Sequence, residues 1–198
     1  SCGQEFVGDV EVTEGANVIV SDAQGNRTIS LVPDGNGNLQ PGVAIGGGQI
    51  TGAGDGNLAT ASNRTAIAIG NSARATALNS TAIGETAVAS GLNSSSYGGQ
   101  SQATGENSTA IGRDAQATEN NATATGASSR AIGENSTAVG QGALANQLNT
   151  TATGMNSRAT GTDSTANGQD AQATNTNTTA MGMSSRATGT DSTANGQD

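Results

Sequence analysis

From about residue 61 onward the chain never builds a wide apolar face. Short stretches such as Thr81-Ala82-Ile83 and Ala87-Val88-Ala89 alternate side chains of different kinds at period 2, with Gly or Asn at each end. That alternation predicts strands, whose successive side chains point to opposite faces, and the Gly and Asn positions predict corners, where positive φ is tolerated. The pattern then recurs. Glycine returns at Gly70, Gly84, Gly98, Gly112, Gly126, Gly140, Gly154, Gly168, Gly182 and Gly196, a constant spacing of 14 residues. Five positions after the Gly stands Ala in every copy: Ala75, Ala89, Ala103, Ala117, Ala131, Ala145, Ala159, Ala173 and Ala187. Three positions after it the residue is Ala or Ser, and two before it is Ala except at Ser96. Five before it, from Asn79 on, is Asn or Asp. The last copies pair into a 28-residue unit, because 155–170 and 183–198 differ at one position.

A unit this short must stack on its neighbours to bury anything. Helical repeats run to about 33 residues or more and need an apolar stripe that is missing. Each 14-residue unit is therefore read as two short strands and two tight turns, one coil of an all-β parallel solenoid. At about 4.8 Å per coil, roughly ten coils reach about 45 Å.

Size constancy indicates which side chains face inward. The Ala and Ala/Ser columns read as the interior of a narrow roll, in which an extra methylene would overpack. The opposite face of the second strand carries Arg74, Gln102, Gln116, Arg130, Arg158, Gln172 and Arg186, with Val88 and Leu144 between them; it reads as solvent-facing and supplies the ligand-contact candidates. The opposite face of the first strand carries Ile69, Ile83, Tyr97, Ile111, Thr125, Val139, Thr153, Asn167, Met181 and Asn195. A sustained apolar stripe of this kind implies association, and copies of the same chain around one axis would cover it. The opposite phase, with the Ile column inside and Ala on the axis, is the alternative.

Composition narrows the function. Apolar residues are 32% and aromatics 1%, just Phe6 and Tyr97. Leu, Ile, Val and Phe together are about 13%, low enough on composition alone for disorder, so it is the order of residues that argues for a fold. There is no His, Cys2 stands alone, Lys is absent and the net charge is −9. Imidazole catalysis and thiolate clusters are excluded, and the electrostatic footprint of a nucleic-acid binder is missing. Asp114 and Asp170 share a column but lie four coils apart, roughly 19 Å, too far for paired-carboxylate glycosidase work. No catalytic residue, metal site or cofactor is expected. No apolar run could span a bilayer as a helix, so any membrane link would run through an anchor outside this sequence.

Residues 1–60 read differently from 61–198. Strand-like runs occur at Val7–Val12, Asn17–Val20 and Thr28–Val32, with turn signals at Asp22–Asn26 and Pro33–Asn38, and this part carries a net −6 of the total −9. It is expected to be a β cap over the first coil's open edge. Asp34–Asn38 begins like a calcium loop, but Leu39 occupies the place of the sharp-turn Gly, so a plain turn is favoured.

Asn79-Ser80-Thr81-Ala82-Ile83-Gly84, Asn107-Ser108-Thr109-Ala110-Ile111-Gly112 and Asn135-Ser136-Thr137-Ala138-Val139-Gly140, each followed three residues on by Ala, resemble the head repeat of YadA-like trimeric autotransporter adhesins. The resemblance covers about residues 60–198. It implies a left-handed parallel β-roll, a homotrimer and display on the bacterial surface through an outer-membrane barrel. It also implies adhesion to extracellular-matrix proteins, other cells or abiotic surfaces, with autoagglutination. Thr153, Asn167 and Asn195 depart from the axial Ile and would make the axis polar there. An ice-binding Thr-rich solenoid and a trimeric phage tail fibre are the alternatives. Thr123-Ala124-Thr125 and Thr151-Ala152-Thr153 suit the former, but Ile, Val and Asn break that column elsewhere. The Asn-x-Ser/Thr sequons from Asn63 to Asn177 are read as turn formers, since Asp163 and Asp191 occupy the same column.

Far-ultraviolet circular dichroism of the chain is expected to show strand and no helix; a helical spectrum would remove the solenoid reading.

Overall fold

The computed structural model describes residues 50–51, 59–63 and 65–196. The strand runs, turns and calcium-like loop of the first 49 residues, and Cys2, lie outside the described residues. Every described element is a strand. They begin with β1 (Ile50–Thr51), β2 (Thr60–Ala61), β3 (Ile67–Ile69) and β4 (Arg74–Ala75). From there a three-residue strand and a two-residue strand alternate to β21 (Thr193–Asn195). β1 and the three-residue strands form one 11-stranded sheet, and the two-residue strands form a second sheet of ten, both ordered strictly along the chain. All pairings are parallel, and the register advances by one repeat per coil: Thr109 pairs with Thr123 and Thr123 with Thr137, as Gln102 pairs with Gln116. The fold is the parallel β-solenoid read from the 14-residue period.

The first pairing departs from the period. Ile50 pairs with Ile67, so the long sheet starts upstream of residue 61, inside the segment assigned to the cap. Its offset is three residues longer than a standard coil. An insertion of that size breaks the spacing on which the sequence boundary was drawn, which is why the repeat pattern did not reach it.

The coils are joined along the strands and around the corners. In the strands, Thr109 N–H donates to Ala122 O at 2.9 Å and Gly126 N–H to Ile111 O at 2.8 Å. At the corners, Asn121 N–H reaches Glu106 O at 2.8 Å and Asp114 N–H reaches Gly99 O at 3.0 Å. The corners after the glycine are also closed within their own coil, for example by Ala115 N–H to Gly112 O at 3.2 Å, and some on the opposite row are too, as by Ala122 N–H to Glu119 O at 3.3 Å. On the Asn/Asp row the residue before the closing donor has positive φ, +57° at Asn121 and +56° at Asn93, as a type II turn requires at its third position. Asn and Asp reach this region more readily than other side chains, which accounts for the Asn/Asp column. The corner at the other end of the coil makes the same demand of Thr86 and Gln100, at +54° and +61°, a need the sequence did not reveal.

Four inward columns fill the space between the sheets. Ala68, Ala82 and Ala110 are fully buried, as are Ala73, Ala87 and Ala115 after the Gly and Ala75, Ala89 and Ala117 further on. The opposite phase, with Ile inside, is thereby excluded. The fourth column, four residues before the Gly, escaped the sequence reading although its size constancy is equally plain: Ser80, Ser94, Ser108, Ala122, Ser136 and Thr150. Its hydroxyls are satisfied locally where they bond, Ser108 Oγ donating to Gly105 O at 2.6 Å and Thr150 Oγ1 to Gln147 O at 2.7 Å. The largest fully buried side chains among the described residues are the threonines Thr150 and Thr178.

Stacked at one repeat per coil, successive backbones touch at the glycine corners. A Cβ built on Gly112 would stand 2.6 Å from Gly126 O, at φ +126°. Both the contact and the dihedral exclude any other residue. Gly112→Ala is therefore expected to cost about 3 kcal/mol or more, read as a fall in melting temperature. Gly99, where an added Cβ meets nothing nearer than 3.9 Å, is the control; Gly99→Ala should be neutral or stabilising by about 0.5 kcal/mol. Equal melting temperatures for the two variants would contradict this account of the glycine column.

Candidate binding surfaces

Because both sheets share one thin core, each offers a single outward face. Between them run the two rows of corners.

The long sheet's outward face carries two columns. One is nearly all hydroxyl, with Thr81, Ser95, Thr109, Thr123, Thr137, Thr151, Thr165 and Thr179 half-buried. The other holds the large apolar side chains. Ile69, Tyr97, Ile111, Val139 and Met181 are 37–47% exposed. Ile83 packs slightly lower between Ile69 and Tyr97 in the register, and Thr125 and Thr153 are also half-buried. Asn167 and Asn195 are exposed at the same position further along. The stripe is thus continuous and apolar from Ile69 to Ile111 and becomes mixed from Thr125 on. A parallel sheet normally has both faces covered; among the described residues, one face of this sheet is covered by the alanine and serine columns and the other by nothing.

The short sheet's outward face is polar and toothed. Arg74, Gln102, Arg130, Arg158 and Arg186, on every second coil, are exposed. Val88, Gln116, Leu144 and Gln172, on the coils between, are half-buried. Of the polar residues singled out on this strand, Gln116 and Gln172 are thus less exposed than their neighbours. The exposure rhythm is two coils, the same 28-residue unit seen in the sequence of the last copies and in the spacing of Arg130, Arg158 and Arg186. Beside this column runs a second, mostly hydroxyl one, including Thr104, Thr118, Thr160 and Thr174. No carboxylate belongs to either column. The acids of the described coils stand at or next to corners, as Glu85, Asp114 and Asp170 on one row and Glu106, Glu134, Asp163 and Asp191 on the other. The one ion pair among the described residues, Arg113 Nε to Asp114 Oδ2 at 3.1 Å, is on such a corner and is exposed.

One corner row is bound lengthwise by its own side chains. Asn79 Nδ2 donates to Asn93 Oδ1, and the relay continues through Asn107, Asn121, Asn135 and Asn149 to Asp163, at distances of 2.8–3.3 Å. A second segment runs from Asn177 to Asp191 at 2.9 Å. The amides of most sequon asparagines are thus engaged with the next coil, and Asp can end a relay because it accepts. Among the described residues no group of three or more His, Cys, Asp or Glu is placed to hold a metal ion.

The repeated corners, the alanine core and the bare apolar stripe describe one recurring module. A family model of the YadA head domain repeat matches it in overlapping windows at 61–87, 75–101, 103–129, 131–157, 159–185 and 174–198. The chain belongs to the YadA head repeat family. Among solved structures it is similar to the collagen-binding domain of the Yersinia adhesin YadA, at 30% identity over 62% of this chain and 68% of that one, with a TM-score of 0.58. No curated protein matches significantly. The YadA head similarity supports a function of adhesin type, and the described coils account for the matched windows almost residue for residue.

Two variants separate the corner's two requirements. Asn121→Gly keeps the +57° dihedral cheap but removes the amide bonds to Asn107 and Asn135; a loss of about 0.5–1 kcal/mol is expected. Asn121→Ala adds the left-handed strain, about 1 kcal/mol more. Thermal melts in which the alanine variant is the more stable would overturn this order.

Proposed function

We propose that this chain is the adhesive head of a homotrimeric adhesin displayed on a bacterial surface at the outer membrane. It binds extracellular-matrix protein, with collagen the favoured ligand, and it performs no chemistry. The observation that carries this reading is the outward apolar column of the long sheet, Ile69, Ile83, Tyr97 and Ile111 in unbroken succession with Val139 beyond Thr125, on a strand type that is normally buried on both faces. Copies of the chain around a threefold axis cover that column with itself, as closed symmetry allows. Where Thr153, Asn167 and Asn195 replace the apolar residues, the axis is polar and hydrogen-bonded across the copies. Membership of the YadA head family, and similarity to a Yersinia adhesin domain that binds collagen, support the matrix-binding part of the reading.

Three chains carry three copies of every outward face, and each face repeats along the coils. Many weak identical contacts then add into strong attachment without a deep pocket. The same multiplicity serves autoagglutination and attachment to other cells or abiotic surfaces.

Light scattering at micromolar concentration is expected to give three times the chain's 19.1 kDa. Ile83→Asp with Ile111→Asp places charge in the stripe and should give a single-chain species with an unchanged strand spectrum. That species should bind immobilised collagen at least about 100-fold more weakly, through lost avidity. A wild-type chain that scatters as a monomer, or a double variant that remains trimeric, would refute the axis.

A further inference from the structure

The five exposed teeth of the short sheet form a ruler. Neighbouring coils are about 4.8 Å apart, so teeth on alternate coils stand about 9.6 Å apart. The last three, Arg130, Arg158 and Arg186, are all cationic, are linked in register through Leu144 and Gln172, and have no carboxylate on their face. A ligand that engages all three needs a negative group on one side at the same interval. An extended β-strand repeats a face about every 6.7 Å, and an α-helix repeats one about every 10.5 Å over seven residues. A polyproline II chain turns once in three residues at 3.1 Å each, which returns the same face every 9.3 Å or so. Over two steps it drifts from the teeth by only about 0.6 Å, which the flexible arginine stems absorb.

We propose that the outward face of the short sheet docks a collagen-type polyproline II chain and that Arg130, Arg158 and Arg186 each take a carboxylate presented once per triplet. Between the teeth stand the less exposed side chains of Leu144 and Gln172. Polyproline II makes no internal hydrogen bonds, so its carbonyls are free to accept; Gln172, between the last two teeth, and the Thr160 and Thr174 hydroxyls beside them are placed as donors on the same face. The guanidinium fork matches a carboxylate with two parallel bonds, whereas an ammonium at the same place would act as a point charge. The face therefore selects acidic triplets within collagen, although the chain as a whole is anionic. The proposal rests on the collagen reading above and adds to it the face used and the sequence preferred.

The test uses the full chain and two triple-helical peptides, one of Gly-Pro-Pro triplets alone and one with Glu replacing a Pro in each of four central triplets, with heparin as a third probe. Wild type should prefer the acidic peptide about tenfold, the sum of three exposed ion pairs. Arg130→Gln, Arg158→Gln and Arg186→Gln together should abolish that preference and leave neutral-peptide binding in place; Gln already stands at Gln102, Gln116 and Gln172 in this column, so the fold is kept. Leu144→Arg with Arg158→Gln preserves the charge but moves the middle tooth by one coil, and should lose most of the preference. Three results would overturn the proposal: a preference that survives the triple substitution, a moved tooth that binds like wild type, or heparin binding that depends on the arginines while the peptides are not distinguished. Absence of binding to either peptide and to immobilised collagen would remove the collagen reading itself, and the docking with it; collagen binding indifferent to the arginines would remove the docking alone.

Discussion

The closeness of the two sheets governs everything else in this chain. With only Ala, Ser and Thr between them, the usual reward of folding, apolar area removed from water, is small for each residue. The deficit is met by repetition of backbone hydrogen bonds, since each coil hands its donors and acceptors to the next along the strands and again at the corners. A net bond of this kind contributes only about 1 kcal/mol, but here it recurs in every coil with little variation in length. A narrow core makes that regularity possible, because any larger side chain would tilt one coil against its neighbours. The stacking of coil on coil forbids a Cβ at Gly112 and its equivalents, where a carbonyl of the next coil stands in its place, and the narrow core calls for tight corners with left-handed dihedrals.

Much of this was legible in the sequence because the interior is described by size alone. The alanine columns, the strand alternation and the 14-residue spacing each report a steric limit, and steric limits leave one-letter traces. The fourth inward column was equally legible in principle, but Ser80, Ala122 and Thr150 differ in polarity, and polarity masks a constraint that is really on volume. The left-handed corner at Thr86 and Gln100 left no trace, because residues of no common chemistry occupy it. Nor did the relay of asparagine amides: a column of Asn announces a turn, whereas the bonds between successive side chains depend on a stacking distance that no single repeat encodes. At the start of the long sheet, the offset between Ile50 and Ile67 put one strand outside the period that revealed the others.

The outward faces obey looser rules, and here the sequence was least informative. Their side chains are limited only by what they meet, so the residue types vary from coil to coil, from Ile to Asn on one sheet and from Arg to Leu on the other. On the long sheet this variation changes the character of the stripe partway along, from apolar to hydroxyl and amide. On the short sheet it produces the two-coil rhythm of more and less exposed side chains. The division of labour follows from the architecture: the interior sets the geometry, and each exterior face inherits evenly spaced positions on which chemistry can be placed.

Since coils touch only their immediate neighbours, the array can gain or lose length by whole units without disturbing the remainder. The near identity of 155–170 and 183–198 points to copying in blocks of two coils rather than one. A block of two leaves the alternation of high and low positions in phase, whereas a single coil added within the array would set one half of the pattern out of step with the other. Duplication in pairs thus lets evolution lengthen the molecule while preserving its periodic lettering.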